Sequence, residues 1–141
     1  MKVKILTALL ASSILLTGCF NTQAPKCSDN EVKELVKNIY AEWVFNLEAS
    51  DNPMLAMFLS SLPKGIDTLD SARATSYDKE IKLRKCKADV TFDNNTNATL
   101  MYTVQINEEE SDNFYVELDS DSLEAIMQQS MMSNIYNKMG N

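Results

Sequence analysis

The spacing of apolar residues changes once along this chain, and the change indicates the fold class. Between residues 32 and 47 apolar residues recur every three or four positions, as in an amphipathic helix. Further on they alternate with polar residues in three runs, as in strands with one buried face: 85–93, 99–106 and 114–118. The sequence therefore predicts an α+β fold in which an N-terminal helix packs on an antiparallel meander of three to four strands.

The first helix is predicted from Ser28 and Glu31, which fit a capping box. Its apolar residues form one wide stripe: Val32, Leu35, Val36, Ile39, Tyr40, Trp43, Val44 and Leu47. The single tryptophan, Trp43, lies on this stripe and is interpreted as a buried core residue rather than a ligand platform.

Two more helices are predicted from their end signals. Asn52 and Pro53 fit an N-cap and a first helical position for a short second helix, apolar nearly all round. Asp121 and Glu124 fit a second capping box, which precedes a C-terminal helix that ends at Gly140.

The remaining segments are polar or irregular. Segment 66–78 fits neither period, and a strand over 67–76 is the favoured interpretation. The asparagine-rich cluster 94–97 predicts a turn. The acidic segments 108–112 and 119–121 lack the glycine and the oxygen spacing of a calcium loop, so they are interpreted as solvated turns.

Residues 1–18 have the layout of a secretory signal. An apolar run over 5–16 follows a basic start and is well short of the ~20 residues of a membrane-spanning helix. It ends in Leu-Thr-Gly-Cys, which resembles the lipobox of bacterial lipoproteins. The resemblance implies that residues 1–18 are removed and that Cys19 is acylated, which anchors the chain in the membrane. By the same resemblance Phe20, where an aspartate marks inner-membrane retention, favours the outer membrane facing the periplasm. A cytosolic protein with an accidental apolar N-terminus is the alternative.

The chain has three cysteines, and lipid on Cys19 would leave Cys27 and Cys86. Outside the cytoplasm these two are expected to form a disulfide. A metal site and a reactive thiol are the alternatives, but the chain contains no histidine and two cysteines fall short of the four ligands of a zinc site. Residues 19–26 are then a polar tether, and 27–141 form a single domain.

The order of helices and strands resembles the cystatin-like and NTF2-like folds of small bacterial lipoproteins. Stretches 26–32 and 86–90 are similar to the recurring ends of such domains, and 102–105 and 115–118 to their later strands. The extra C-terminal helix departs from that pattern. The resemblance implies a fold and no activity.

Charge and composition narrow the function classes. A net charge of −7 disfavours nucleic acid and anionic lipid headgroups as partners. The chain lacks histidine, the commonest general base, and carries no nucleophile elbow, phosphate loop or dinucleotide fingerprint. We therefore expect no enzyme, cofactor or metal. The classes left are a binding or inhibitory module of the envelope, an assembly lipoprotein, and an immunity or exclusion lipoprotein against a toxin or phage.

The C-terminal helix is rich in methionine. Its apolar residues form one stripe: Leu123, Ile126, Met127, Met131, Ile135 and Met139. Core packing is the favoured role of the methionines, because their flexible side chains fill irregular gaps. The alternative is a surface for a protein partner in the envelope or for a second copy: Met127, Met131, Met132, Tyr136 and Met139.

The lipobox resemblance gives a first testable prediction. Mass spectrometry of the membrane-extracted protein should find a chain that starts at Cys19 and carries diacylglycerol. Cys19→Ser should abolish the modification and leave the chain unprocessed. An unmodified N-terminus at Met1 in the wild-type protein would contradict the membrane anchor.

Overall fold

A computed structural model of the chain describes residues 23–140, and the predicted signal peptide and Cys19 lie outside them. Three helices and four strands follow one another within the described residues: α1 (Asn30–Glu48), α2 (Pro53–Leu59), β1 (Ile66–Asp78), β2 (Leu83–Phe92), β3 (Asn97–Ile106), β4 (Phe114–Leu118) and α3 (Ser120–Met139). The predicted α+β class is confirmed, with one antiparallel sheet and helices at both ends of the chain.

The four strands form a meander in the order β1-β2-β3-β4, with each strand antiparallel to the next. The period of two seen in the sequence matches the burial of alternate residues in β2 and β3. The residues of these two strands that face the core are Cys86, Ala88, Val90, Phe92, Leu100, Tyr102, Val104 and Ile106. One face of the sheet is therefore buried, and the other is left to solvent.

Segment 66–78 is an edge strand, which confirms the favoured interpretation and extends its bounds to Ile66–Asp78. Its pairing with β2 shifts register three times, and Ser71 within it has a φ of 51°. Each shift changes which residues face the core, so no constant period survives in the sequence.

α1 lies on the buried face of the sheet and is fully buried along one narrow line of side chains: Val32, Val36, Tyr40 and Val44. The Tyr40 ring packs 5.2 Å from the Phe92 ring of β2, measured between centroids. The prediction of a buried Trp43 is only partly correct, because its ring packs beside Tyr40 at 5.7 Å and stays half-exposed.

The capping box predicted from Ser28 and Glu31 is wrong. α1 begins at Asn30 with Asp29 as its N-cap, and no side chain caps its first amides. The Asp29 carboxylate instead accepts the backbone N–H of Lys26 at 2.9 Å. A tight turn before the helix therefore takes the oxygen that a capping box would use.

The box predicted from Asp121 and Glu124 is also wrong. The N-cap of α3 is Asp119, whose carboxylate accepts the backbone N–H of Ser122 at 3.0 Å. The Asp119 N–H still donates to the Met101 carbonyl of β3, so the strand leads directly into the helix. The helix therefore starts two residues earlier than predicted. The cap predicted for α2 is confirmed, since Asn52 Oδ1 accepts the backbone N–H groups of Met54 and Leu55.

Cys27 and Cys86 form a disulfide, with their Cα atoms 5.7 Å apart. Both residues are buried. The bond joins the segment before α1 to the core-facing side of β2, across a sequence separation of 59 residues.

The double substitution Cys27→Ala/Cys86→Ala should lower the free energy of unfolding by about 2–5 kcal/mol, because it releases a long loop in the unfolded chain. Denaturant unfolding monitored by circular dichroism measures this loss. A reductant should lower the unfolding midpoint of the wild-type protein and leave that of the double variant unchanged. Equal midpoints for the two proteins under oxidising conditions would contradict a stabilising role for the bond.

Candidate interaction surfaces

The segment before α1 is held on the sheet by side chains of β2 and β3. Arg84 donates from Nε to the Pro25 carbonyl at 3.0 Å and from Nη2 to the Ala24 carbonyl at 3.1 Å. The Tyr102 hydroxyl donates to the Cys27 carbonyl at 2.8 Å. Together with the disulfide these bonds form what we call the N-terminal clamp: Arg84, Tyr102 and Cys86 acting on residues 24–27.

The clamp fixes where the chain enters the domain. Ala24 is only 3% exposed, so packing begins two residues before the end of the predicted tether 19–26. The guanidinium of Arg84 also lies 4.6 Å from the centre of the Tyr77 ring of β1. The chain therefore joins the sheet near the start of β2 and the end of β1, which we call the entry end.

The side chains of Tyr40 and Tyr102 are buried. Tyr40 donates to the Pro63 carbonyl at 3.0 Å. Burial raises the pKa of Tyr102 to about 12, and it raises the pKa of Tyr40 as well, with the Asp93 carboxylate adding to the effect. Both hydroxyls are thus protonated donors around neutral pH, and the stability they contribute should begin to fall only above about pH 10, where the unfolded chain loses its tyrosine protons.

α3 packs on the domain only along its first half. Ser122 and Ile126 are buried, whereas Met132, Tyr136 and Met139 are 51%, 66% and 73% exposed. The favoured core-packing role of the methionines is therefore wrong for Met132 and Met139. Twenty residues of helix span about 30 Å, and Gln129, midway along the helix, already donates to the Asn97 carbonyl at the start of β3.

In that second half polar residues face the domain. Ser130 and Ser133 line a small cavity with Ser61 and Thr96, at the end of the sheet opposite the clamp. Most of the apolar residues of this half are exposed. Of the predicted partner residues, Met127 packs against the core and Met131 is half-buried, and the exposed ones are Met132, Tyr136 and Met139.

α2 lies beside this exposed half of α3. Phe58 of α2 faces Met131 and Ile135 across a cavity of about 160 Å³, and Met54 is 70% exposed. We use the name α2–α3 surface for six apolar residues of the two helices, all exposed except the half-buried Phe58: Met54, Phe58, Met132, Ile135, Tyr136 and Met139. Segments 52–63 and 125–137 contain no charged residue, although 23% of the whole chain is charged.

The open face of the sheet carries a second feature. Asp70 of β1 and Asp89 of β2 are direct cross-strand neighbours, and both are exposed. They line a shallow concavity of about 390 Å³ with Thr91, Asn97 and Thr99. We call these five residues the acidic concavity.

Two contacts hold the two aspartates. The Thr68 hydroxyl donates to Asp70 Oδ2 at 2.8 Å, and Arg73 Nη1 lies 3.9 Å from Asp89 Oδ2. The Arg73–Asp89 pair is half-exposed, so it offsets little of the repulsion between the two carboxylates. Like charges placed directly opposite each other on a sheet are destabilising.

The acidic segment 108–112 is the exposed β3–β4 hairpin, closed by a hydrogen bond between Asn107 and Asn113. Within residues 23–140, no group of three or more His, Cys, Asp or Glu side chains is placed to hold a metal ion. In the same residues no helix is long and apolar enough to cross a membrane.

Comparisons with known proteins add no relative. No protein-family model, no curated protein and no solved structure matches the chain.

Reading the sequence missed Arg84 and the Asp70–Asp89 pair. Arg84 had a signal, because it precedes Cys86 and Ala88 by even steps and so belongs to the core-facing set of β2. A charged residue at such a position needs a buried partner. The Asp70–Asp89 pair had no such signal in the sequence, since the shifts of register in β1 decide which residue of β1 lies opposite Asp89.

Proposed function

We propose that this protein is a lipid-anchored, non-enzymatic binding or inhibitory module of the bacterial cell envelope, and that its acidic concavity binds a basic segment of a protein partner. The cystatin-like or NTF2-like assignment is part of the proposal, supported by a helix packed across an antiparallel meander.

The lipobox-like ending at Cys19 and the N-terminal clamp support the anchored arrangement. Five residue steps separate Cys19 from the buried Ala24, which corresponds to a reach of at most about 18 Å. An acyl anchor at Cys19 would therefore keep the entry end close to the lipid surface. The proposed outer-membrane location rests on Phe20 alone.

The repulsive pair Asp70 and Asp89 is the observation that carries the partner assignment. Two carboxylates lie side by side on an open face, in a chain whose net charge is already −7. A lysine or arginine of a partner that enters the concavity would relieve this repulsion, and the overall negative charge would speed the approach of a basic protein.

Two other functions remain as alternatives. An immunity or exclusion lipoprotein would use the same acidic concavity against a basic toxin or phage protein, so it is a narrower form of the same proposal. An assembly lipoprotein would instead use the α2–α3 surface, whose exposed methionines favour it. The salt dependence of binding distinguishes the acidic concavity from the α2–α3 surface, because salt screens charges and so weakens binding by the concavity far more than binding by an uncharged surface.

Asp70→Asn should raise stability and lower binding together. It removes a like-charge contact and keeps an acceptor for Thr68, so the free energy of unfolding should rise by about 0.2–1 kcal/mol at low salt. Thermal unfolding at low and high salt measures this gain, which should shrink as salt is added. An unchanged or lower melting temperature at low salt would contradict the repulsion.

Binding is tested with the full-length chain in its native membrane, carrying a photo-crosslinking residue at Thr99. A basic envelope or incoming protein should be captured, and Asp70→Asn/Asp89→Asn should weaken its binding about tenfold. Glu108→Gln/Glu109→Gln removes the same charge from the exposed hairpin and should have a much smaller effect. An equal loss of binding in both double variants would mean that only the net charge matters, which would contradict a specific role for the concavity. Capture that is indifferent to salt would contradict the proposal.

A further inference from the structure

We propose that the α2–α3 surface binds a second copy of the chain, through an antiparallel pairing of α3 with α3 about a two-fold axis between Ile135 and Tyr136. This inference is independent of the acidic concavity, because a different surface and different residues carry it.

Charge distribution selects the second copy as the occupant. Two copies of an acidic chain repel one another wherever their charged faces meet. The α2–α3 surface is the place where this cost is absent, since segments 52–63 and 125–137 contain no charged residue. The centre of a protein interface is depleted of charged residues and enriched in aromatic residues and methionine. A basic partner gains nothing from such a surface, whereas an identical uncharged surface matches it.

The spacing along α3 is self-complementary. In an antiparallel pair centred between Ile135 and Tyr136, Met132 lies opposite Met139 of the second copy, and Ile135 lies opposite Tyr136 of the second copy. All four residues are more than 45% exposed in the single chain. Their steps of three and four residues place them on one side of the helix, the spacing that packs helix against helix. The same register puts Lys138 opposite the uncharged Ser133, so no like charges meet.

The chain's own apolar segment 5–16 is a poor occupant of the surface, because the residues that connect it to Ala24 barely span the distance. Eight residue steps from Ala24 to Leu16 reach at most about 28 Å. Ala24 is bonded to Arg84, and the eight residue steps from Arg84 to Phe92 alone span about 26 Å of strand. The exposed half of α3 begins only beyond Phe92, next to Thr96. The connecting residues 16–24 would have to be almost fully extended before segment 5–16 could contact the surface.

The contact is small, which sets its strength. About ten residues of each α3 would face one another, with Met54 and Phe58 of α2 at the margin. Such an interface falls below the about 1,000 Å² of a stable complex. We therefore expect association in the micromolar range in detergent.

Sedimentation equilibrium of the full-length chain in density-matched detergent tests the proposal through paired charges. Met132→Glu/Met139→Glu places like charges opposite each other and should weaken dimerisation at least about tenfold. Met132→Glu/Met139→Lys places opposite charges together in the antiparallel register and should restore the dimer. A parallel pairing would instead set each residue against its own copy, so the second variant would stay monomeric.

Tyr115→Glu, at an exposed residue on β4 outside the surface, is the matched control and should leave the dimer unchanged. Circular dichroism melts of each variant check that the fold is kept. Should a charged variant fail to fold, Tyr136→Ser removes the central contact without adding charge and should weaken the dimer in the same way. A wild-type chain that stays monomeric to about 100 μM, or a dimer indifferent to Met132→Glu/Met139→Glu and Tyr136→Ser, would overturn the inference.

Discussion

The N-terminal clamp is the constraint on which the rest of this structure depends. Within four residues, 24–27, the chain gives two carbonyls to Arg84, one carbonyl to Tyr102 and a disulfide to Cys86. These contacts fix the point from which α1 starts across the sheet. The Tyr102 bond is buried, so loss of its hydroxyl would leave the Cys27 carbonyl without a partner, at a cost of about 1–3 kcal/mol, whereas the Arg84 bonds are only partly buried. The clamp therefore fixes both the position of α1 on the sheet and the place where the chain enters the domain.

The entry point lies at one end of the sheet, and the candidate binding surfaces lie toward the other. The clamp holds the start of β2, whereas α2, the β2–β3 hairpin and the exposed half of α3 gather at the other end of the sheet. The acidic concavity also lies toward that end, since its residues come from the last part of β2 and the first part of β3. If Cys19 carries lipid, both candidate surfaces face away from the anchoring membrane. A partner would then meet the domain from the aqueous side, and the short tether would limit how far the domain reaches toward it.

The sequence predicted what periodicity controls and failed where tertiary contacts decide. The alternation around Cys86 and Leu100 identified the buried face of the sheet, and the absence of histidine together with the cysteine count led to the disulfide. Both capping boxes failed because a turn at Asp29 and a strand pairing at Asp119 displaced the local motif. The stripe on α3 was continuous in sequence, but its last members, Ile135 and Met139, lie beyond the residues that pack on the sheet and are exposed. Asp70 and Asp89 meet only through the shifted register of β1, which no local pattern records.

The direction of the domain relative to the membrane is tested most directly by fluorescence quenching. The full-length acylated protein, in phosphatidylcholine vesicles with a quencher on some headgroups, carries one fluorophore through Lys79→Cys or Ala56→Cys. Lys79 is exposed in the hairpin at the entry end, and Ala56 is exposed on α2 at the opposite end. Strong quenching at position 79 and weak quenching at position 56 is the result we expect. Equal quenching at the two positions, or stronger quenching at position 56, would contradict an anchored domain that presents its binding surfaces away from the membrane.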